Sequence, residues 1–234
     1  MLFFFGYVSY LLETGDQSMI KLENITKYYP SRLGKQYIFK NLSFDIPSGH
    51  NIGILGSNGA GKSTLFRLLA GSEYPNGGKI ITDLSLSWPV ALATGIHHQM
   101  TGRENTRFIA RVNGIADLDE YERRVIKFAD LGKKFDLPVK SYSSGMKPRL
   151  AFACSIGIDF DVYLIDEVTS VGDANFRKKA KEALLERSEK ANVIMVSHEM
   201  NEIRQFCDSA IVLNKGELTF YNDLEQGIAQ YQAL

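Results

Sequence analysis

The run Gly56-Ser57-Asn58-Gly59-Ala60-Gly61-Lys62-Ser63-Thr64 satisfies the spacing Gly-x-x-x-x-Gly-Lys-[Ser/Thr]. Its chemistry is the holding of phosphate. Small residues let the backbone curl until successive N–H groups point inward, and a helix starting at the end of the loop adds its positive N-terminus. Lys62 supplies a point charge for β- and γ-phosphates, and the Ser63 hydroxyl is a ligand for Mg²⁺. The pattern calls for a nucleoside triphosphate with magnesium. The competing reading, a glycine-rich structural turn, is disfavoured by the apolar strand pattern entering the loop and the helical pattern leaving it.

Two further groups extend this chemistry. The apolar run "VYLIDE" ends in Asp166 and Glu167, and carboxylates placed there are costly unless each finds a cation or a hydrogen-bond donor. In a parallel sheet the carboxyl ends of the strands form the ligand edge, so Asp166 can reach the metal, through water. Glu167 faces the opposite way and is placed over the γ-phosphate, where a carboxylate orients and deprotonates the attacking water. His198 closes the next apolar strand, "IMVSH", and can donate to a γ-phosphate oxygen or position Glu167. The alternatives are two surface acids at the end of an edge strand and a structural histidine. In "SYSSGMKPRLAFACS", Ser143, Ser144 and Gly145 precede a helical pattern. They serve either as a local cap or as donors to a phosphate held elsewhere.

These residues must be carried by a repeating scaffold. "MIKLENI" and "NLSFDI" alternate as half-buried strands, whereas "NIGILG", "VYLIDE", "NVIMVSH" and "SAIVL" are short apolar runs of strands buried on both faces. Helical spacing follows the phosphate loop in "KSTLFRLLAG" and recurs over residues 175–190 and 199–206. Strands alternating with helices imply a mostly parallel sheet covered on both faces. Lys215-Gly216 reads as a hairpin turn, and "DLEQGIAQYQAL" as a terminal amphipathic helix. Between Thr101 and Leu150 only helix signals remain. Thr101 and Glu104 have capping-box spacing, and "LDEYERRVIKFADLG" carries helical spacing that ends on Gly132. This segment reads as a small helical subdomain inserted into the α/β core.

Composition narrows the class. A length of 234 residues suits one folding unit with a small subdomain. Lys plus Arg and Asp plus Glu balance at 27 each, which leaves no bulk field for nucleic acid, so none is expected as a partner. Cys154 and Cys207 lack the paired spacing of a zinc site and read as buried free thiols in a reducing compartment. The apolar start "MLFFFGYVSYLL" is shorter than the about 20 residues needed to span a bilayer and lacks the flanks of a signal peptide. Residues 1–18 are therefore a start set upstream of Met19, a cloning remnant, or an extension that lies against a membrane or an apolar partner. Residues 19–234 are expected to form the domain.

Taken together, "GSNGAGKST", "YSSGMKPRLAFA", "YLIDEVTSVGD" and "VSH" resemble, in order and spacing, the nucleotide-binding domain of ABC transporters over about Met19 to Leu213. The resemblance implies an α/β P-loop NTPase of the ABC ATPase type. It would have a mostly parallel core, an N-terminal antiparallel β part and a helical subdomain at about residues 97–158. It also implies that Ser143, Ser144 and Gly145 form the signature that acts on ATP held by an opposing subunit, so that a second copy of the chain is required. Ser170 and Asp173, in "SVGD", fall in the loop that touches across that dimer, with Gly172 where the family more usually has leucine. Tyr29 takes the place of the aromatic that stacks on adenine, with Tyr28 as its neighbour. The glutamine that contacts the metal and senses the membrane partner departs from the pattern: Gln99 stands late, and His97 or His98 can occupy its place. "TGREN", the Ser-Ser-Gly-Met signature, "DEV" and "VGD" resemble the ATPase subunits that export bacterial cell-surface polysaccharides, and "SWP" at Ser87 to Pro89 resembles the capsular-polysaccharide branch most closely, with O-antigen and teichoic acid exporters as the alternative. The partners implied are a polytopic transmembrane subunit and proteins spanning the periplasm, with this chain on the cytoplasmic face of the bacterial inner membrane. A soluble ABC protein acting on ribosomes or DNA, and a P-loop phosphotransferase, are the readings from other classes.

Overall fold

The computed structural model describes residues 20–32, 34–90, 95–166, 172–197 and 199–234. The apolar extension at 1–18, Glu167, Ser170 and His198 lie outside them. The chain forms two compact units. The first holds the described residues up to Ser87, together with Asp161–Leu164 and Ala191–Leu234. The second holds Trp88–Phe160 and Ile165–Lys190.

In the first unit, β1 (Ile20–Ser31) and β2 (Gly34–Ile46) form an antiparallel pair. The other sheet contains β3 (Ile52–Leu55), and β4 (Gly77–Ile81) joins β1 to complete the three-stranded order β2-β1-β4. Nothing in "GGKII" announces β4, because two glycines replace the alternating side chains by which a half-buried strand is read. The main sheet runs β5 (Val162–Asp166), β6 (Asn192–Val196), β3, β7 (Ser209–Asn214), β8 (Glu217–Tyr221). β3 lies parallel to β6 and β7, and β8 returns antiparallel. The return is made at Lys215 (φ 48) and Gly216 (φ 84), the two positive angles that a tight hairpin with right-handed strands needs.

Every residue of β3 is buried, as its unbroken apolar run requires. α1 (Lys62–Leu69) has eight residues, too few for a stable helix in water. It is held by burial of Leu65, Phe66, Leu68 and Leu69 in the core shared with β1, β2 and β3, each worth about 2 kcal/mol.

The second unit packs α2 (Gly102–Val112), α3 (Leu118–Ala129), α4 (Met146–Ile156) and α5 (Ala174–Ser188). α2 begins with the expected capping box: Thr101 Oγ1 accepts from Glu104 N, and the Glu104 carboxylate accepts from Thr101 N. α3 stops three residues before Gly132. Asp130 takes the left-handed cap (φ 49), while Arg149 on α4 donates to the carbonyls of Ala129 and Asp130. A guanidinium satisfying the last carbonyls replaces the glycine cap that the sequence pattern suggested. Gly132 instead opens a 3₁₀ turn, Gly132–Asp136. Glu122, nearly buried on α3, is clasped by Arg103 and Arg107 from α2. Cys154 and Cys207 are free and buried, and burial pushes the Cys154 thiol up to about 12.

Asn105, fully buried on α2, fastens the segment that leads into this unit. Its Oδ1 accepts from His97 N at 2.7 Å, and its Nδ2 donates to the carbonyls of His97 (3.0 Å) and Thr101 (2.8 Å). Asn105→Ala should destabilise the second unit by about 3 kcal/mol, because buried backbone groups lose their partners. Asn105→Asp should cost at least as much, since its carboxylate would face two carbonyls. Urea unfolding checks this, and a loss under about 1 kcal/mol for both variants would contradict it.

Candidate functional site

The phosphate loop is shaped by the strands that flank it. β3 ends so close to β7 that a Cβ on Gly56 would stand 2.5 Å from the Leu213 carbonyl oxygen, so only glycine fits. Gly61 adopts φ 111, and a Cβ there would meet Ile38 Cγ2 of β2 at 2.7 Å. Between them the loop turns through Gly59 (φ 81), with Ala60 N donating to Ser57 O at 3.1 Å. Leu65 N then donates to Gly61 O at 2.8 Å, the first bond of α1. Ser57, Asn58, Gly59 and Ser63 are exposed, while Thr64 is buried. Lys62 Nζ folds over the loop onto the carbonyls of Gly56 (2.5 Å) and Ser57 (3.1 Å), and burial lowers its pKa from the ordinary lysine value. This is a backbone cradle with a cation at its mouth, next to a helix N-terminus. It fits a triphosphate.

Beside the cradle, Tyr29 is tied by its hydroxyl. It donates to Glu73 Oε2 at 2.8 Å, accepts from Arg67 Nη2 at 3.1 Å, and lies 3.5 Å from Thr64 Oγ1. Arg67 Nε and Lys27 Nζ each reach Glu73, both at 2.9 Å. Burial alone would raise the Glu73 carboxyl, but hydrogen bonds from Lys27, Arg67 and Tyr29 outweigh it and hold it at about 2. Tyr28 turns elsewhere: its ring packs on Tyr37 at 5.3 Å, with Lys35 over its face.

β6 leads to His198 through Ser197. The Ser197 hydroxyl donates to buried Glu202 (2.8 Å) and accepts from Glu199 N (3.0 Å), which fixes the end of the strand. Asp166 closes β5 in the second unit.

In that unit, Ser143 and Ser144 are exposed ahead of α4. The local-cap reading holds in part, since Ser143 Oγ accepts from Met146 N at 3.3 Å. Gly145 is different. Its φ of −80 suits any residue, and a Cβ there would meet nothing within 4 Å. Nothing among the described residues demands glycine. Asp173 caps α5 by accepting from Phe176 N at 3.0 Å, and that bond, with Arg149 nearby, keeps its carboxyl below the ordinary value. Arg149 Nη1 stands 3.7 Å from Asp173 Oδ2, so one side chain joins α4 to the start of α5. His97, His98 and Gln99 are all exposed. The backbone after them is pinned to the chain before the signature, with Lys140 N donating to His98 O (2.8 Å) and Val139 N to Met100 O (2.9 Å).

Glu73, Arg67 and Glu202 carry no motif, and Asn105, Arg149 and Ser197, though they lie within "TGREN", "YSSGMKPRLAFA" and "VSH", are given no role by those phrases. Glu73 and Arg67 read in sequence as solvated charges at the end of an amphipathic helix. The one anomaly is Asn105, a poor helix former in a first turn already capped by Thr101.

A cradle of this kind on a β-strand and helix, with a second helical unit carrying Ser-Ser-Gly, defines an ATP-binding cassette, an ATP-hydrolysing domain. The chain belongs to the ABC transporter family, whose family model matches residues 39–170. It is 49% identical over 216 residues to "Polysialic acid transport ATP-binding protein KpsT" of Escherichia coli, covering 92% of this chain and 99% of the relative. It is 43% identical to "Capsule polysaccharide export ATP-binding protein CtrD" of Neisseria meningitidis, covering 92% of this chain and all of the relative. Its fold matches the ATP-binding cassette MJ0796, solved as a dimer in a post-hydrolysis state with ADP and Pi. There the TM-score is 0.70 and the identity 22%, over 88% of this chain and 99% of the other.

Gly56→Ala should lower both thermal stability and ATP affinity, because β3 and β7 must part to admit the methyl group. Gly145→Ala should leave the stability of the isolated chain within about 0.5 kcal/mol. Equal destabilisation of the two in thermal melts would contradict this. Glu73's lowered pKa fixes a pH window as well. Its share of stability is fully present above the unfolded value near 4.5 and is lost as pH falls through about 2. The unfolding free-energy gap between wild type and Glu73→Gln should therefore stay constant above pH 4.5 and close on acidification; a gap that persists at pH 2 would refute the ion-pair account.

Proposed function

We propose that this chain is the ATPase subunit of an exporter for a capsular, cell-surface polysaccharide. The observation that carries it is end-to-end identity of 43–49% with relatives named for polysialic acid transport and capsule polysaccharide export. No helix of the described residues is long and apolar enough to cross a membrane. The path for the polysaccharide is thus assigned to a separate polytopic subunit, with this chain bound on the cytoplasmic face of the inner membrane. Proteins spanning the periplasm complete the route.

ATP is held by Gly56 to Thr64, with Lys62 on the β- and γ-phosphates and adenine against Tyr29. Mg²⁺ suits the hard oxygens of Ser63 and Asp166, and when bound it neutralises charge on the β- and γ-phosphates. Glu167 takes the proton of the attacking water, and His198 donates to the γ-phosphate. Ser143, Ser144 and Gly145 reach the γ-phosphate bound to a second copy of the chain, while Ser170 and Asp173 touch across the same dimer. The exposed serines and the sterically free Gly145 support this role, since a backbone without a side chain admits a phosphate from outside. ATP thereby joins the two chains, hydrolysis releases them, and the cycle moves the membrane subunit. His97, His98 or Gln99 takes the coupling role of the family's glutamine.

Glu167→Gln should keep ATP binding but slow hydrolysis by at least about a hundredfold, so that ATP shifts the chain to a dimer in size-exclusion chromatography. Hydrolysis at the normal rate would remove Glu167 as the base.

A further inference from the structure

We propose that Glu73 is the residue that orients Tyr29 for the nucleotide base, acting through the tyrosine hydroxyl. This rests on the assignment of Tyr29 as the stacking partner of adenine. A tyrosine on a strand can swing about its Cα–Cβ bond, and a stacking platform must lose that freedom before the base arrives or else its cost is subtracted from affinity. Here the hydroxyl is held on both sides of its chemistry. Its proton goes to Glu73 Oε2 at 2.8 Å, and its oxygen accepts from Arg67 Nη2 at 3.1 Å. With donor and acceptor both engaged, the far end of the ring is held in place.

Glu73 is itself fixed. Its second oxygen takes Lys27 Nζ at 2.9 Å, and that ammonium, nearly buried, also donates to Tyr74 O at 2.7 Å. The same ammonium lies 5.2 Å from the centroid of the Tyr29 ring. One face of the ring thus carries a cation, and a base takes the other. The second anchor, Arg67, is on α1, and its Nη2 also donates to Thr64 Oγ1 at 3.4 Å, at the end of the phosphate loop. The platform for the base is referenced to the helix that starts at the triphosphate, with Glu73 as the common acceptor. The partners of Glu73 are Lys27, Arg67 and Tyr29, and not the loop carbonyls that hold Lys62. It is a positioning residue for the base.

The test compares ATP with inorganic tripolyphosphate, which occupies the cradle but has no base. Affinities for both are measured by calorimetry on the full chain and on Tyr29→Phe, Glu73→Gln and Tyr29→Ala. Tyr29→Phe keeps the ring and every charge while removing only the hydroxyl, so it stands even where Glu73→Gln folds poorly. Both variants should weaken ATP binding about five- to tenfold and leave tripolyphosphate unchanged. The double variant should lose no more than either alone, because the two act through one bond. If Tyr29→Ala loses ATP affinity while Tyr29→Phe and Glu73→Gln keep it, stacking stands and the role of Glu73 is overturned. If Glu73→Gln weakens both ligands equally, its role is only structural and the proposal fails. If Tyr29→Ala leaves the ratio of the two affinities unchanged, the stacking assignment itself is wrong.

Discussion

The carbonyl oxygen of Leu213 sets the first unit's design, because it occupies the space that any side chain at position 56 would need. β3 can reach the phosphate loop at that depth only on a bare backbone. β2 closes the other side, with Ile38 against Gly61. The two strands squeeze the loop between them, and α1 is held in line by four buried apolar side chains. A dense interior resists change in such a place. The shape of the cradle follows from the packing of the core around it.

Around that core the charged groups divide by task. Lys62 is held at the mouth by two loop carbonyls, poised to exchange them for phosphate oxygens. Lys27 and Arg67 are committed to Glu73, and through it to Tyr29. In the second unit Arg149 performs a comparable service. It takes the last carbonyls of α3 and approaches Asp173 at the head of α5. The signature helix is therefore joined to the head of α5 through Arg149, while Ser143 and Ser144 stay exposed.

Much of this was legible in the chain. The buried strands β3, β5, β6 and β7 follow from unbroken apolar runs, and the β7–β8 hairpin from Lys215-Gly216. The phosphate loop announces itself because its glycines have a steric cause that recurs wherever a backbone must approach phosphate. β4 was hidden by its glycines, and the end of α3 was misplaced because a guanidinium from α4, distant in sequence, caps it. Glu73 was silent, and Asn105 showed only as a poor helix former in a capped turn, for the same reason: a buried hydrogen-bonding role depends on partners that only folding brings near. Gly145 carried the opposite message. Among the described residues its glycine has no steric cause, in keeping with the role proposed for it toward a second chain.

The central claim is that each ATP is shared between two chains, one giving the phosphate loop and the other Ser143, Ser144 and Gly145. It is tested most directly by ATP turnover in mixed dimers carrying Lys62→Ala and Ser144→Arg. When the two substitutions are placed on different chains, both lesions fall in one shared site and the other site stays intact. When they are placed on the same chain, each shared site is struck once. Turnover retained in the first arrangement and abolished in the second is the result expected. Turnover retained only when both substitutions sit on one chain would show that each chain hydrolyses ATP with its own serines, and would contradict the account.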